Sequence, residues 1–121
     1  MRYMLLEHAV RWWPTPGLTE LAGRVRRQLA ATGELVSAAV LRPASEGVIV
    51  QAHLAGQPSV IAVATVDGRP CLARYWVIDC EEAARALAIA AEISSAAGRA
   101  PTSVGLPIEV RPLMACWGEE M

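Results

Sequence analysis

Residues 72–98 read LARYWVIDCEEAARALAIAAEISSAAG, and the hydrophobic period changes in the middle of this stretch. Up to Asp79 it is short, aromatic and β-branched, which is the signature of a strand. Tyr75 and Trp76 are neighbours in that strand and so face opposite sides of a sheet. Beyond Asp79 the apolar residues recur at Ala86, Ile89, Ala90, Ile93 and Ala97, the spacing of one helical face. The stripe is built of small residues, so this helix is expected to lie close against a sheet. Asp79 and Glu82 have the spacing of a capping box, and Gly98 can end the helix. After the loop RAPTSVGLP comes a last strand, IEVRPLM, halted by Pro112.

Upstream of the same stretch, DGRP is a turn, and before it SVIAVATV and GVIVQAHL form two strands separated by the turn cluster AGQP. ELVSAAVL, closed by Arg42-Pro43, is another strand. TPGLTELAGRVRRQLAATG reads as a first helix. Thr15 is placed to cap it, Pro16 suits its first position, and Gly33 can close it in a left-handed conformation. Leu18, Leu21, Ala22, Val25 and Leu29 form its apolar side, with Glu20, Arg24, Arg27 and Gln28 opposite. RYMLLEH opens the chain as a strand with Tyr3, Leu5 and Glu7 on one face and Arg2, Met4, Leu6 and His8 on the other. The order strand, helix, strands, helix, strand is an α+β plan. It predicts a ferredoxin-like β-α-β-β-α-β sheet with an extra hairpin strand and both helices on one face. One domain, residues 1–121, accounts for the chain.

The totals narrow the function. The chain has 121 residues, 54% of them hydrophobic and 19% charged, which suits one domain with one core. A formal net charge of −1 gives no electrostatic reason to expect nucleic acid or an anionic membrane as partner. All 11 basic residues are Arg, a pattern that fits GC-rich codon usage rather than a function. Three cysteines without a C-x-x-C pair suit a reducing cytosol. No segment resembles a signal peptide, and none approaches the roughly 20 apolar residues of a bilayer span. The expected location is cytoplasmic. The motifs of P-loops, dinucleotide folds and serine hydrolases are missing, and the two histidines and three cysteines have no metal-ligand spacing. No metal and no cofactor are expected.

Taken together and in order, MRYMLL, GELVSAAVLRP, VDGRP, YWVIDCEEAARALA and IEVRPLM resemble the YCII-related, or DGPF-domain, family along nearly the whole chain. That resemblance implies a ferredoxin-like subunit whose open sheet face packs on a second subunit's sheet to make a dimeric α/β barrel. It also implies small bacterial proteins, some of them lyases or dehydrohalogenases acting on small aromatic or lactone-like molecules. Some are encoded beside alternative sigma factors. The family's Asp-Gly-Pro-Phe is replaced here by Asp67-Gly68-Arg69-Pro70. The His of its proposed His–Asp pair lies in the first helix, where this chain has none. Strands that are apolar on both faces point to the same homodimer, because two helices can cover only one face.

The candidate site residues follow from side-chain chemistry. His8, at the end of the first strand, is a candidate general acid or base, since an imidazole can take up or release a proton. Asp67 is a second candidate catalytic residue through the resemblance, and otherwise a turn residue before Gly68. Trp12 and Trp13, in EHAVRWWPTPG, face opposite ways, so one is expected to pack and the other to line a pocket. Tyr75, Trp76 and Arg111 complete the substrate-binding set; Arg111 could hold a carboxylate or phenolate, or pair with Glu109 or Glu7. Cys80 sits beside Glu81 and Glu82, which oppose its ionisation, and His53 is expected in solvent. Three functions fit: a cofactor-independent lyase or isomerase for a small cyclic or aromatic compound, a non-catalytic small-molecule binding module, or an interaction protein linked to an alternative sigma factor.

Overall fold

The computed structural model describes residues 1–9, 18–42, 44–62, 71–97 and 107–117. Among these residues six strands and two helices follow one another in the expected order: β1 (Arg2–Ala9), α1 (Leu18–Thr32), β2 (Leu35–Val40), β3 (Val48–Gln51), β4 (Ser59–Ala62), β5 (Cys71–Asp79), α2 (Ala83–Ala97) and β6 (Ile108–Pro112). A 3-10 turn, Ala44–Glu46, lies between β2 and β3. Four strands form one antiparallel sheet in the order β2-β5-β1-β6. The other two, β3 and β4, form a separate two-stranded hairpin. The extra strands therefore stand apart from the main sheet.

The period-2 reading of β1 holds. Tyr3, Leu5 and Glu7 are buried, whereas Met4, Leu6 and His8 on the other face are half-buried. Directly paired residues of an antiparallel ladder share a face. Leu5 opposes Trp76 on one side and Val110 on the other, and Tyr3 opposes Ile78. These side chains form one core with Val25 and Leu29 of α1 and Ala86, Ile89, Ala90 and Ile93 of α2. Both helices thus lie on one face of the sheet. The alanines of α2 allow the close approach expected of a small-residue stripe. Val77 and Ala73 are also buried, although Val77 belongs to the opposite face.

Two helix ends show opposite outcomes. Gly33 has φ +80°, its N–H donates to the Ala30 carbonyl at 3.2 Å, and the Glu34 N–H donates to the Leu29 carbonyl at 3.0 Å. This is the paired hydrogen-bond pattern of a glycine-closed helix end, as expected. The capping box expected at Asp79 does not form. β5 continues through Asp79, whose N–H donates to the Glu34 carbonyl at 2.8 Å, and α2 starts only at Ala83. The Glu82 carbonyl accepts the first helical bonds, from the N–H groups of Arg85 and Ala86. Strand pairing outcompetes the cap, and the Asp79 carboxylate instead faces Arg2 across the ladder at 3.5 Å. Thr15 and Pro16 lie outside the described residues.

Candidate functional site

One end of the sheet carries two carboxylates on adjacent strands and opposite faces. Glu7 is on the helix-covered face, where its side chain has no exposure. It would be unstable there alone, because an unpaired buried charge is costly. The register places Arg74 directly opposite on β5 and Trp76 two residues along. The Arg74 guanidinium grips Glu7 through Nε to Oε2 and through Nη2 to Oε1, the latter at 2.7 Å. The Trp76 indole Nε1 donates to Oε2 at 2.8 Å. A bidentate Arg and an indole thus satisfy the buried acid with three donors.

Glu109 lies on the open face. There His8 Nε2 is 3.1 Å from its Oε1, and Arg111 Nε donates to its Oε2 at 2.7 Å. Glu109 and Arg111 are two apart on one strand and so share a face; His8 reaches diagonally from β1. The His8 and Glu109 side chains are 32% and 35% exposed, so both can meet a ligand from solvent. The hydrogen bond to His8 holds the Glu109 carboxyl below its usual range, aided by the charge of Arg111 and opposed by partial desolvation. The carboxylate therefore stays ionised and fixes the ring's orientation. That is the orienting role a carboxylate plays beside a general-base imidazole.

The same face carries an apolar row between strands. Leu6 is paired with Glu109 on one side and Tyr75 on the other, Met4 lies between Arg111 and Val77, and Leu72 opposes His8. At about 4.8 Å per strand, Tyr75 stands roughly 10 Å from Glu109 across Leu6. Of the residues expected at a site, His8, Tyr75 and Arg111 are brought onto this one face. Trp76, expected to bind substrate, is 2% exposed in the core instead, because its ring points toward the helices and its N–H is committed to Glu7. Arg111 makes the pair with Glu109 that its spacing allowed. Asp67, Trp12 and Trp13 lie outside the described residues. Glu109 was not among the expected site residues; its alternation with Arg111 was the available signal. The burial of Glu7 has no sequence signal beyond its place on the core face of β1.

A cleft of about 450 Å³ lies where the end of α1 meets the start of α2, lined by Thr32, Glu34, Asp79, Cys80, Glu82 and Arg85. Its cation is already engaged: Arg85 donates to both Glu34 oxygens, at 2.7 and 2.8 Å, and the Thr32 hydroxyl donates to Glu34 at 2.8 Å. Burial, reinforced by Glu34, pushes the Cys80 thiol up, which disfavours its thiolate. His53 is exposed. Among the described residues no group of three or more His, Cys, Asp or Glu could hold a metal ion, and no helix is long and apolar enough to cross a membrane.

No protein-family model matches this chain, and no curated protein matches it.

Proposed function

We propose that the open face of the four-stranded sheet binds a small cyclic or aromatic molecule, and that His8 moves a proton on it in a cofactor-independent lyase or isomerase reaction. The observation that carries this reading is the His8–Glu109–Arg111 cluster, a solvent-accessible imidazole held by an ionised carboxylate at the end of an apolar row. In this mechanism the ligand's ring lies along Leu6, Leu72 and Tyr75. His8 accepts a proton from the carbon next to a carbonyl, and Glu109 stabilises the imidazolium that results. Arg111 offers positive charge near the developing enolate.

The strand order β2-β5-β1-β6, with both helices on one face, supports a ferredoxin-like reading of the fold and with it the YCII-related resemblance. We infer a homodimer in which the open sheet faces of two copies enclose the ligand, since no described helix covers the half-buried Met4, Leu6 and Tyr75. A cytosolic setting and a ligand rather than a nucleic acid or a membrane as partner belong to the same reading. If the ligand is bound without chemistry, the same face serves a binding module.

The test is a melting-shift screen of wild type, His8→Ala and Glu109→Gln with phenols, benzoates and lactones, followed by turnover assays on the compounds that bind. Compounds that stabilise wild type should lose most of their effect in His8→Ala. Turnover by wild type that both variants lose supports the enzyme; binding without turnover supports the binding module. Equal shifts in all three proteins would remove the site from this face.

A further inference from the structure

The hairpin of β3 and β4 has no place in the site or in the core. Its register pairs Val48 with Ala62, Ile49 with Ile61, Val50 with Val60 and Gln51 with Ser59. Opposed residues share a face. One face is therefore Val48, Val50, Val60 and Ala62, wholly apolar, and the other carries Ile49 and Ile61 with Gln51 and Ser59 at its end. Val48, Ile49, Val50, Val60 and Ile61 are each 55–64% exposed, and Leu54 in the connecting loop is fully exposed. Neither strand pairs with the main sheet. A lone two-stranded hairpin is marginal in water, and exposed edges without Lys, Pro or a bulge invite pairing.

We propose that this hairpin is a dimerisation arm, whose Val48, Val50, Val60 and Ala62 face packs on the same face of the arm of a second copy across a two-fold axis. Charge argues for a second copy over a different partner. Residues 47–62 contain no Asp, Glu, Lys or Arg. A charged partner finds nothing complementary there, whereas two copies meet without repulsion. Symmetry agrees, since a two-fold contact needs only that a surface fit itself. Area is compatible: the Val48, Val50, Val60 and Ala62 face exposes on the order of 300 Å², somewhat under half of the about 800 Å² each partner gives to a standard interface. The open sheet face can supply the remainder. The inference rests on the homodimer reading above and assigns the arm a share of that contact.

Val60→Lys and Val60→Glu test it by light scattering at micromolar concentration, with circular dichroism to check that each variant folds. Wild type should have a mass about twice the 12.9 kDa of one chain. Each variant alone should dissociate at least tenfold more readily, because like charges meet across the axis. An equimolar mixture should restore the dimer, which damage to the fold cannot imitate. If either charged variant misfolds, the near-isosteric Val50→Thr/Val60→Thr variant should show weakened association in its place. A monomeric wild type overturns both this proposal and the homodimer. A dimer indifferent to all these changes leaves the sheet-face dimer standing and overturns the arm. Dissociation that mixing does not reverse also overturns it.

Discussion

Glu7 and Glu109 sit on neighbouring strands and are held by the same kinds of group, an arginine and the N–H of a heteroaromatic ring. They differ in which face of the sheet they occupy. Glu7 faces the helices, has no exposure, and is bound by Arg74 and the indole of Trp76. Glu109 faces away, is about one-third exposed, and is bound by Arg111 and the imidazole of His8. An indole N–H does not titrate in the working range of proteins, whereas an imidazole does. The buried cluster can therefore only hold the sheet to its register. The open one carries the titratable ring that the proposed proton transfer requires. Strand parity separates a fully buried acid from a partly exposed one.

The largest effect expected is on the buried side. Glu7→Gln keeps the shape but leaves the Arg74 charge unpaired, and should cost about 3–5 kcal/mol in urea or guanidinium unfolding. A loss indistinguishable from that of a surface substitution would show that water reaches the pair and would break the contrast. Trp76→Phe removes the indole donor from the same carboxylate and should cost about 1–3 kcal/mol. Combined with Glu7→Gln, it should be less than additive, since both changes dismantle one network.

A third carboxylate gives an intermediate case. Arg85 pulls the Glu34 carboxyl down to about 2 from its ordinary 4.5, against a smaller desolvation effect. A folded pKa below the unfolded one contributes stability that is complete above about pH 4.5 and disappears as pH falls through about 2. Arg85 is 42% exposed, so solvent screening limits the pair to about 1 kcal/mol. Denaturation of wild type and Glu34→Gln at pH 6 and at pH 2 should show that gap at the higher pH and none at the lower. A gap independent of pH would assign the effect to packing.

The smallest effect on stability belongs to Glu109→Gln, whose unfolding midpoint should match wild type while ligand binding through His8 weakens. If Glu109→Gln destabilises as much as Glu7→Gln, both clusters are structural and the open face loses its claim to chemistry.

Much of this molecule followed from local rules. The alternation in residues 2–8 put Glu7 on one face and His8 on the other, because side chains on a strand alternate whatever the strand pairs with. The α2 stripe and the glycine at the end of α1 were likewise local, set by helical period and by the left-handed φ that glycine adopts freely. The capping box at Asp79 misled because its spacing is local, whereas the competing partner, the Glu34 carbonyl, comes from the distant junction between α1 and β2. His8 and Glu109 are 101 residues apart, and Glu7 and Trp76 are 69 apart. Chain spacing alone carries no record of such pairs; the ladder register β5-β1-β6 creates them. Local sequence was enough for the elements, their order and the parity of their faces. Which acid is buried, which imidazole is oriented, and that β3 and β4 pair with neither edge of the four-stranded sheet depend on tertiary structure, because pairing between distant strands is chosen by the whole sheet at once.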